Sequence, residues 1–592
     1  MQTVPFIPDN APFTPEQRRW LNGFLAGLYS SAQIASPAVD PPPSLKIAVL
    51  YGSQSGTAEG LARKVAKELK AKGHVASLHS LEGYTPASLL AESYAVIIAS
   101  TYGEGEAPDN ARPFYEQLCL EHFPCCGNLS YAVLALGDSN YEQFCKFGVD
   151  LDSKLASLAG TRLCERVDCD VDLDESFAQW KSILFARLDE IVAARPSHSP
   201  IAAMPGLLPS ASKKEIAPSH TRENPFLAPL VEKRPLTHDV SSKLTLHLAF
   251  NISDSNIRYE AGDACGVIPR NDQLLVDEIL HLLSFSGSVP VQLPKGGTAT
   301  LQDALLGHLQ ISCLTRKVVE AYATIGRCKD LFALLAPGQQ ENLGSYLYGR
   351  GLIDLLYDYP GVLRDPADLI AMLPRLAPRL YSISSSPSAH AGEIHTTVAV
   401  VRYHAHNRDR GGVCSTLFAD RTDPGEALPV YIQPNKRFRL PTDSTAPIIM
   451  IGPGTGIAPF RSFLHERRAT GASGRNWLFF GERTAASDFL YREELENMKK
   501  DGHLTRLDLA FSRDQERKIY VQNRMMDQAS EFWKWLEDGA SIYVCGDASR
   551  MAKDVDTTLH TIVEQQGRHS TEDAMEYVQQ LKEQHRYHRD VY

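Results

Sequence analysis

The chain has 592 residues, which at roughly 150 residues per domain predicts about four domains. With 22% charged and 43% hydrophobic residues, it is neither a fibre nor a mostly disordered chain. Lys and Arg total 60 against 71 Asp and Glu, a net charge of -11, which argues against the basic face of a nucleic-acid binder.

Eleven cysteines are scattered without a C-x-x-C pair, so no disulfide framework, zinc ribbon or iron–sulfur run is expected and no metal site is assigned. The apolar stretch over 20–29 falls well short of the ~20 residues of a membrane span. No basic segment precedes an apolar core, as a signal peptide would require. The expectation is a cytoplasmic protein in a reduced compartment, without a membrane partner.

In chain order, residues 1–13 are Pro-rich. Thr14-Pro15-Glu16-Gln17 reads as a capping box with Pro at the first helical position. It opens an amphipathic helix through about Tyr29, with Trp20, Leu21, Phe24, Leu25 and Leu28 as one apolar stripe. A short tether follows, so 1–44 is either a docking helix on the chain's own body or an assembly element. Over 45–195 a strand–loop–helix rhythm predicts an open parallel α/β sheet, with β-rich runs beginning at Lys46, Tyr94 and Tyr131 and a helix over 58–72. Residues 196–222 are Pro/Ser/Ala-rich without periodicity and read as a flexible linker. Over 223–440, alternating strands at 244–250, 257–269, 379–387 and 393–403 enclose a helical insert at about 271–378. Over 441–592 the parallel α/β rhythm returns, with runs at 447–456, 476–483, 504–513 and 541–548.

The loop Ser53-Gln54-Ser55-Gly56-Thr57-Ala58 lies between a strand and a helix. Hydroxyls, small residues and free helix N-terminal amides suit a single phosphate, and the lysine of a P-loop is missing. Alone this is a weak signal that a plain helix cap also explains. Two further loops leave strand ends at the same sheet edge: Ser100-Thr101-Tyr102-Gly103, continuing into Glu104 and Gly105, and Leu136-Gly137-Asp138-Ser139-Asn140-Tyr141-Glu142-Gln143-Phe144-Cys145. Ligands of open α/β sheets bind at that edge. Tyr102 and Tyr141 are placed to flank a flat aromatic ring, although either tyrosine alone would read as packing. Together the three loops resemble flavodoxin, which implies FMN. Glu104, Glu106, Asp109 and Asp138 would then surround the exposed ring edge and steer a basic redox partner.

Arg379-Leu380-Tyr381-Ser382 ends in a serine run at Ser384-Ser385-Ser386, and Gly411-Gly412-Val413-Cys414-Ser415 opens a helix. The second motif offers helix N-terminal amides to a pyrophosphate, with Arg379 as counter-charge. Tyr381 suits stacking on an isoalloxazine and Ser382 its polar edge. The pair resembles the FAD domain of ferredoxin–NADP reductases, which adds Thr397, Val398, Ala399 and Tyr403 to the FAD set. Gly452-Pro453-Gly454-Thr455-Gly456 departs from G-x-G-x-x-G but resembles the nicotinamide loop of the same reductases. Ser512, Arg513 and Lys518-Ile519-Tyr520-Val521-Gln522 bring two cations and two hydroxyls where an NAD site would put an acid. That combination favours a 2′-phosphate, hence NADPH over NADH, with Asp554 on the following helix. In this reductase family the residues matching Cys545, Ser382 and Asp590 place and stabilise charge during hydride transfer. Tyr592 matches a terminal ring that covers FAD as a gate.

Flavodoxin-like, FAD-binding β-barrel and Rossmann-like NADPH-binding parts in this order resemble the diflavin reductases. Nearly the whole chain resembles the flavoprotein (alpha) components of assimilatory NADPH–sulfite reductases. Tyr102 departs toward the cytochrome P450 reductase side of the superfamily. The resemblance implies electron flow from NADPH to FAD to FMN to a separate sirohaem and iron–sulfur haemoprotein (beta) subunit, for reduction of sulfite to sulfide in cysteine biosynthesis. It also implies a homo-oligomer formed through the N-terminal region. The alternatives are a soluble diflavin reductase with another haem acceptor and, from a different class, a non-catalytic flavoprotein scaffold.

Overall fold

The computed structural model describes residues 7–8, 12–22, 44–53, 56–102, 105–108, 110–120, 122–138, 143–170, 173–193, 220–294, 296–548 and 550–592. The expected linker core and most of the tether before Lys46 lie outside these residues. At the N-terminus the capping box forms: the Gln17 amide donates to Thr14 Oγ1 (3.3 Å) and the Thr14 amide to Gln17 Oε1 (3.0 Å). Trp20 on that helix is 67% exposed. Phe24, Leu25 and Leu28 lie outside the described residues.

The first sheet is parallel, in the order Val75–Ser80, Lys46–Gly52, Tyr94–Ser100, Ser130–Leu136, Thr161–Arg162, with Val167–Cys169 also paired to Ser130–Leu136. Its central strands are apolar on both faces because helices cover both sides. The strand order reverses between Lys46–Gly52 and Tyr94–Ser100, which opens a crevice at their carboxyl ends. The helix Thr57–Ala71 and the turn after Ser100 both start there.

The second sheet is antiparallel, in the order Arg379–Ser382, Ala264–Val267, Ala427–Gln433, Phe226–Pro235, Thr245–Asn251, Glu393–Ala399. Its two ends meet through the bridge Ile383–Thr396 and the bond from the Ser384 amide to the His395 carbonyl (2.8 Å). The sheet thus closes into a barrel. The strand read over 257–269 shortens to Ala264–Val267. Gly262 turns the chain at φ 99, where a Cβ would lie 1.9 Å from the Phe438 carbonyl oxygen. Between Ala264–Val267 and Arg379–Ser382 the chain makes seven helices, from Gln273–Leu283 to Pro366–Met372, around their own apolar core, with one small hairpin.

The third sheet is parallel, in the order Arg506–Phe511, Asn476–Glu482, Ile448–Ile451, Ser541–Gly546, Tyr587–Val591. Here the order reverses between Ile448–Ile451 and Ser541–Gly546. The last residues, for which the sequence reading named no element, form its edge strand, with Asp590 in register with Cys545.

A buried polar ladder joins the barrel to this third unit. Arg461 donates to the Ser384 carbonyl (2.9 Å), Ser462 to the Ser385 carbonyl (2.6 Å) and Ser386 to Glu466 (2.6 Å). Behind them His247, His395, His390 and His465 form a chain of ring contacts at 4.6–4.9 Å. Burial, then the Arg461 charge, pushes His247 down to about 2. Burial and the neighbouring His395 hold His390 at about 4. Burial raises Glu494, but the bond from His465 and the charge of Arg461 outweigh it and hold the carboxyl at about 2. The unfolded imidazoles take protons near 6.5, whereas these folded ones resist, so acid favours unfolding. The depressed Glu494 adds stability above its ordinary value that fades as pH falls toward 2. The unfolding midpoint of the barrel and third unit is therefore expected to fall from pH 6.5 to 4. That slope should flatten in His390→Gln, as read by denaturant titration at each pH; equal slopes would contradict the account.

Candidate functional site

At the first crevice, Ser53 is buried and its hydroxyl accepts from the amides of Gly56 (2.9 Å) and Ala58 (3.3 Å). The Ser53 amide donates to Asn110 Oδ1 (2.8 Å), and Asn110 Nδ2 reaches Ser80 (3.1 Å). Asn110 escaped the sequence reading because no spacing ties it to the Ser53 loop. Gly56 takes φ 86 at the start of the helix Thr57–Ala71, whose N-terminal dipole end suits an anion. Ser100 donates to the Gly52 carbonyl (3.1 Å), and Thr101 Oγ1 accepts from the Phe147 amide (3.2 Å). Tyr102 pairs with Glu106 around Gly105 at φ 102. Leu136 is buried at the end of its strand. The chain turns at Gly137, where a Cβ would lie 2.7 Å from the Cys145 nitrogen. Asp138, Gln143 and Phe144 follow on that loop, and the buried Cys145 Sγ faces the Cys169 carbonyl (3.5 Å). Gln54, Ser55, Gly103, Ser139, Asn140, Tyr141 and Glu142 lie outside the described residues, as do Glu104 and Asp109. The donor set that is described, helix amides and hydroxyls against a glycine-lined turn, fits a flavin mononucleotide.

At the barrel, Arg379 Nη1 donates to the Ala377 carbonyl (2.9 Å), Leu380 is half exposed, and Tyr381 meets Phe418 edge-on at 5.6 Å. Burial pushes the Tyr381 phenol up, with Cys414 adding to it. Gly411 and Gly412 have no room for a side chain: a Cβ would lie 2.5 Å from Thr416 and 2.6 Å from Ser415 Oγ. The helix Val413–Asp420 that follows lacks a side-chain cap, and Ser415 accepts from the Val401 amide (3.1 Å). Tyr403 lines a cavity of about 630 Å³ with Arg402, Arg410, Gly411 and Val413. Thr397 instead meets the Tyr491 hydroxyl (2.7 Å), Val398 is in the barrel core and Ala399 is exposed. A glycine cradle, uncapped amides and an aromatic wall fit a flavin dinucleotide.

Between barrel and third sheet, Ser382 Oγ donates to Asp590 Oδ2 (3.0 Å), Asn435 Nδ2 to Asp590 Oδ1 (3.3 Å), and Cys545 Sγ stands 4.0 Å from the same carboxylate. Burial pushes Asp590 up against the lowering bond from Ser382. Burial, reinforced by Asp590, pushes the Cys545 thiol well up, so it stays a neutral, compact group. Asn435 was missed because it comes from a loop far away in sequence.

The loop after Ile448–Ile451 covers this cluster. A Cβ on Gly456 would lie 2.1 Å from the Cys545 carbonyl oxygen. Gly454 takes φ 58, and Thr455 Oγ1 lies 2.9 Å from the Tyr592 hydroxyl. Further along the sheet edge, the amides of Ser512 and Arg513 bond the carbonyls of Glu482 (2.9 Å) and Arg483 (2.8 Å). Arg513 and Lys518 are exposed, Ile519 is half-buried, and Tyr520 caps the helix that begins with the buried Val521. Gln522 donates to Asp554 (2.9 Å). Glu482, missed in the sequence, faces Gly454 and pairs with Lys243 of the barrel. Two unburied cations beside a glycine loop fit the phosphates of a nicotinamide dinucleotide.

Comparison with known proteins agrees with this layout. Residues 49–180 match the flavodoxin family, 218–417 the FAD binding domain and 450–557 the oxidoreductase NAD-binding domain. The chain is 42% identical over 589 residues to the sulfite reductase [NADPH] flavoprotein alpha-component of Bacillus subtilis, covering 98% of this chain and 96% of that one. The chain belongs to this flavoprotein family. Members from Vibrio vulnificus (39% over 599 residues, 100% and 96% covered) and Klebsiella pneumoniae (41% over 585 residues, 98% and 96% covered) share the full span. The three matched segments fall on the flavodoxin-type sheet, the barrel with its insert and the third sheet, while the barrel strand Ala427–Gln433 and the edge strand Tyr587–Val591 lie beyond them.

Gly456→Ala forces the loop off Cys545. NADPH-driven flavin reduction is expected to fall at least about tenfold, the equivalent of ~1.4 kcal/mol at the transition state, while chemical reduction of the bound flavins is unchanged. A wild-type rate in stopped-flow would refute the close approach.

Proposed function

We propose that this chain takes hydride from NADPH and delivers electrons through FAD and FMN to a haemoprotein subunit that reduces sulfite to sulfide. The observation that carries the reading is the Ser382–Asp590–Cys545 cluster, set between a flavin-type barrel and a dinucleotide-type sheet in a chain that aligns end to end with its relatives. When bound, the flavins supply the conversion of a two-electron hydride into single-electron transfers.

The chain's own groups bind, orient and cover. The amides after Ser53 and Gly56 hold the FMN phosphate, and the 100–103 and 136–145 loops hold its ring. Arg379 and the amides from Val413 hold the FAD pyrophosphate, with Tyr381 against the ring. The Ser382 hydroxyl, oriented by Asp590, meets the polar edge of that ring. Asp590, raised by burial, is suited to hold a proton there as charge moves. Cys545 fills the space beside the hydride path, Tyr592 shields it from water, and Arg513 and Lys518 hold the 2′-phosphate.

Five segments follow from this reading: 1–44, 45–195, a linker at 196–222, 223–440 with its insert, and 441–592. The exposed Trp20 of the N-terminal helix supports assembly into a homo-oligomer through that end. Among the described residues no helix is long and apolar enough to cross a membrane, and the reading places the protein in the cytoplasm with its haemoprotein.

With both flavins bound, NADPH and sulfite are expected to give sulfide only when the haemoprotein subunit is added. Fast reduction of artificial acceptors without sulfide would reassign the partner. Ser382→Ala should slow reduction of FAD by NADPH about 10²-fold. Arg513→Ala should raise KM for NADPH by roughly tenfold or more, leaving KM for NADH unchanged; equal effects on both nucleotides would remove Arg513 from the 2′-phosphate.

A further inference from the structure

The segment that follows the barrel strand Ala427–Gln433 is gripped in turn by the two strands that carry Asp590 and Cys545. Asn435 Nδ2 donates to Asp590 Oδ1 (3.3 Å), His588 Nδ1 donates to the Arg437 carbonyl (2.7 Å), and the Tyr543 hydroxyl donates to the Arg439 carbonyl (2.8 Å). Tyr543 and His588 are register partners whose rings stack at 4.6 Å, two residues before the partners Cys545 and Asp590. Side chains two apart on a strand share one face, about 7 Å apart along it. The segment 435–439 therefore follows that face from the ring pair to the carboxylate. Between the bonded residues Phe438 is fully buried against Phe463 and Tyr543, each at 5.5 Å. Tyr102 of the flavodoxin-type unit also reaches the edge strand, donating to the Val591 carbonyl (2.7 Å), a backbone contact that does not orient the Asp590 carboxylate.

On the barrel side one buried carboxylate holds the same segment. Asp263 is 3% exposed. Its Oδ1 accepts from the Asn435 amide (2.9 Å) and from Arg439, and its Oδ2 accepts from the Glu260 amide (2.8 Å). Its backbone carbonyl accepts from the amide of Ile383 (3.0 Å), the residue after Ser382. Ala264, next in the chain, pairs with Ser382 on one side and Gln433 on the other. Asp263 thus fixes the spacing between the two groups that donate to Asp590, Ser382 on Oδ2 (3.0 Å) and Asn435 on Oδ1. Arg439 has a second carboxylate in Glu260 (2.9 Å), so charge pairing alone does not account for Asp263.

We propose that Asp263 and Asn435 are positioning residues for hydride transfer. Asp263 fixes the Asn435 backbone, and the Asn435 side chain aims the Asp590 carboxylate at Ser382. With both oxygens engaged, that carboxylate cannot turn about its Cβ–Cγ bond without leaving a buried acceptor unpaired. The inference rests on the proposed function and adds to it the residues that set the geometry of its central cluster.

The test uses the full chain with both flavins and follows FAD reduction by stopped-flow across NADPH concentrations. Asn435→Ala is expected to lower the limiting rate about tenfold or more. The half-saturating NADPH concentration, the bound flavin content and chemical reduction of the flavins should stay at wild-type values. Asp263→Asn, which keeps the shape of the side chain but has one acceptor oxygen fewer, should lower the limiting rate in the same way. In an Asp590→Ala background, itself slow, Asn435→Ala should cost no further rate, because the group it aims is gone. The proposal is overturned if Asn435→Ala alone reduces FAD at the wild-type limiting rate, or if it slows Asp590→Ala as much as it slows the wild type. Loss of flavin from Asp263→Asn would make Asp263 a folding residue and overturn its part. A wild-type limiting rate in Asp590→Ala would overturn the functional reading itself, and the inference with it.

Discussion

The pairing of Tyr587–Val591 with Ser541–Gly546 is the constraint on which the site depends. Parallel register sets Asp590 opposite Cys545, and no shorter-range feature would bring the chain's end to the cluster with Ser382 and Cys545. The strand lies at the sheet edge. Ser382 and Asn435 satisfy its buried carboxylate, which would otherwise be costly.

The barrel is joined to the third unit by polar contacts alongside apolar packing, in which Ala261 and Phe438 share a core with Phe460, Phe463 and Tyr543. Ser384, Ser385 and Ser386 are fully buried, and they meet Arg461, Ser462 and Glu466 of the third unit. Directional bonds fix a spacing more sharply than apolar contact does, at the risk of a large penalty if one partner is lost. Behind them, burial and neighbouring positive charge lower His247 and His390. The flavodoxin-type unit is held differently, by one hydroxyl bond and a few exposed or half-buried ion pairs. Such pairs are individually weak and screened by salt.

Much was legible before any coordinates. The loops at Ser53–Ala58 and Gly411–Ser415 stood out because they place glycine and hydroxyl residues between a strand and a helix. The parallel strands are uninterrupted apolar runs, and the capping box at Thr14 has the form its spacing implies. What escaped detection was long-range and single: Asn110, Asn435, Glu482 and Lys243 carry no local pattern, since each works by meeting a residue from another element. The serine run at 384–386 was visible, but its interface partners on another unit were not.

The sequence by itself determined the order and class of the three units and most of their parallel strands, because periodicity, caps and glycine turns are local in the chain; the barrel strands Phe226–Pro235 and Ala427–Gln433 escaped it. Only the tertiary structure decided that the last five residues form a strand, that Asp590 faces Cys545 and Ser382, and that Tyr102 reaches Val591. Those facts depend on strand register and on the meeting of separate units, which arise from packing between segments that are hundreds of residues apart.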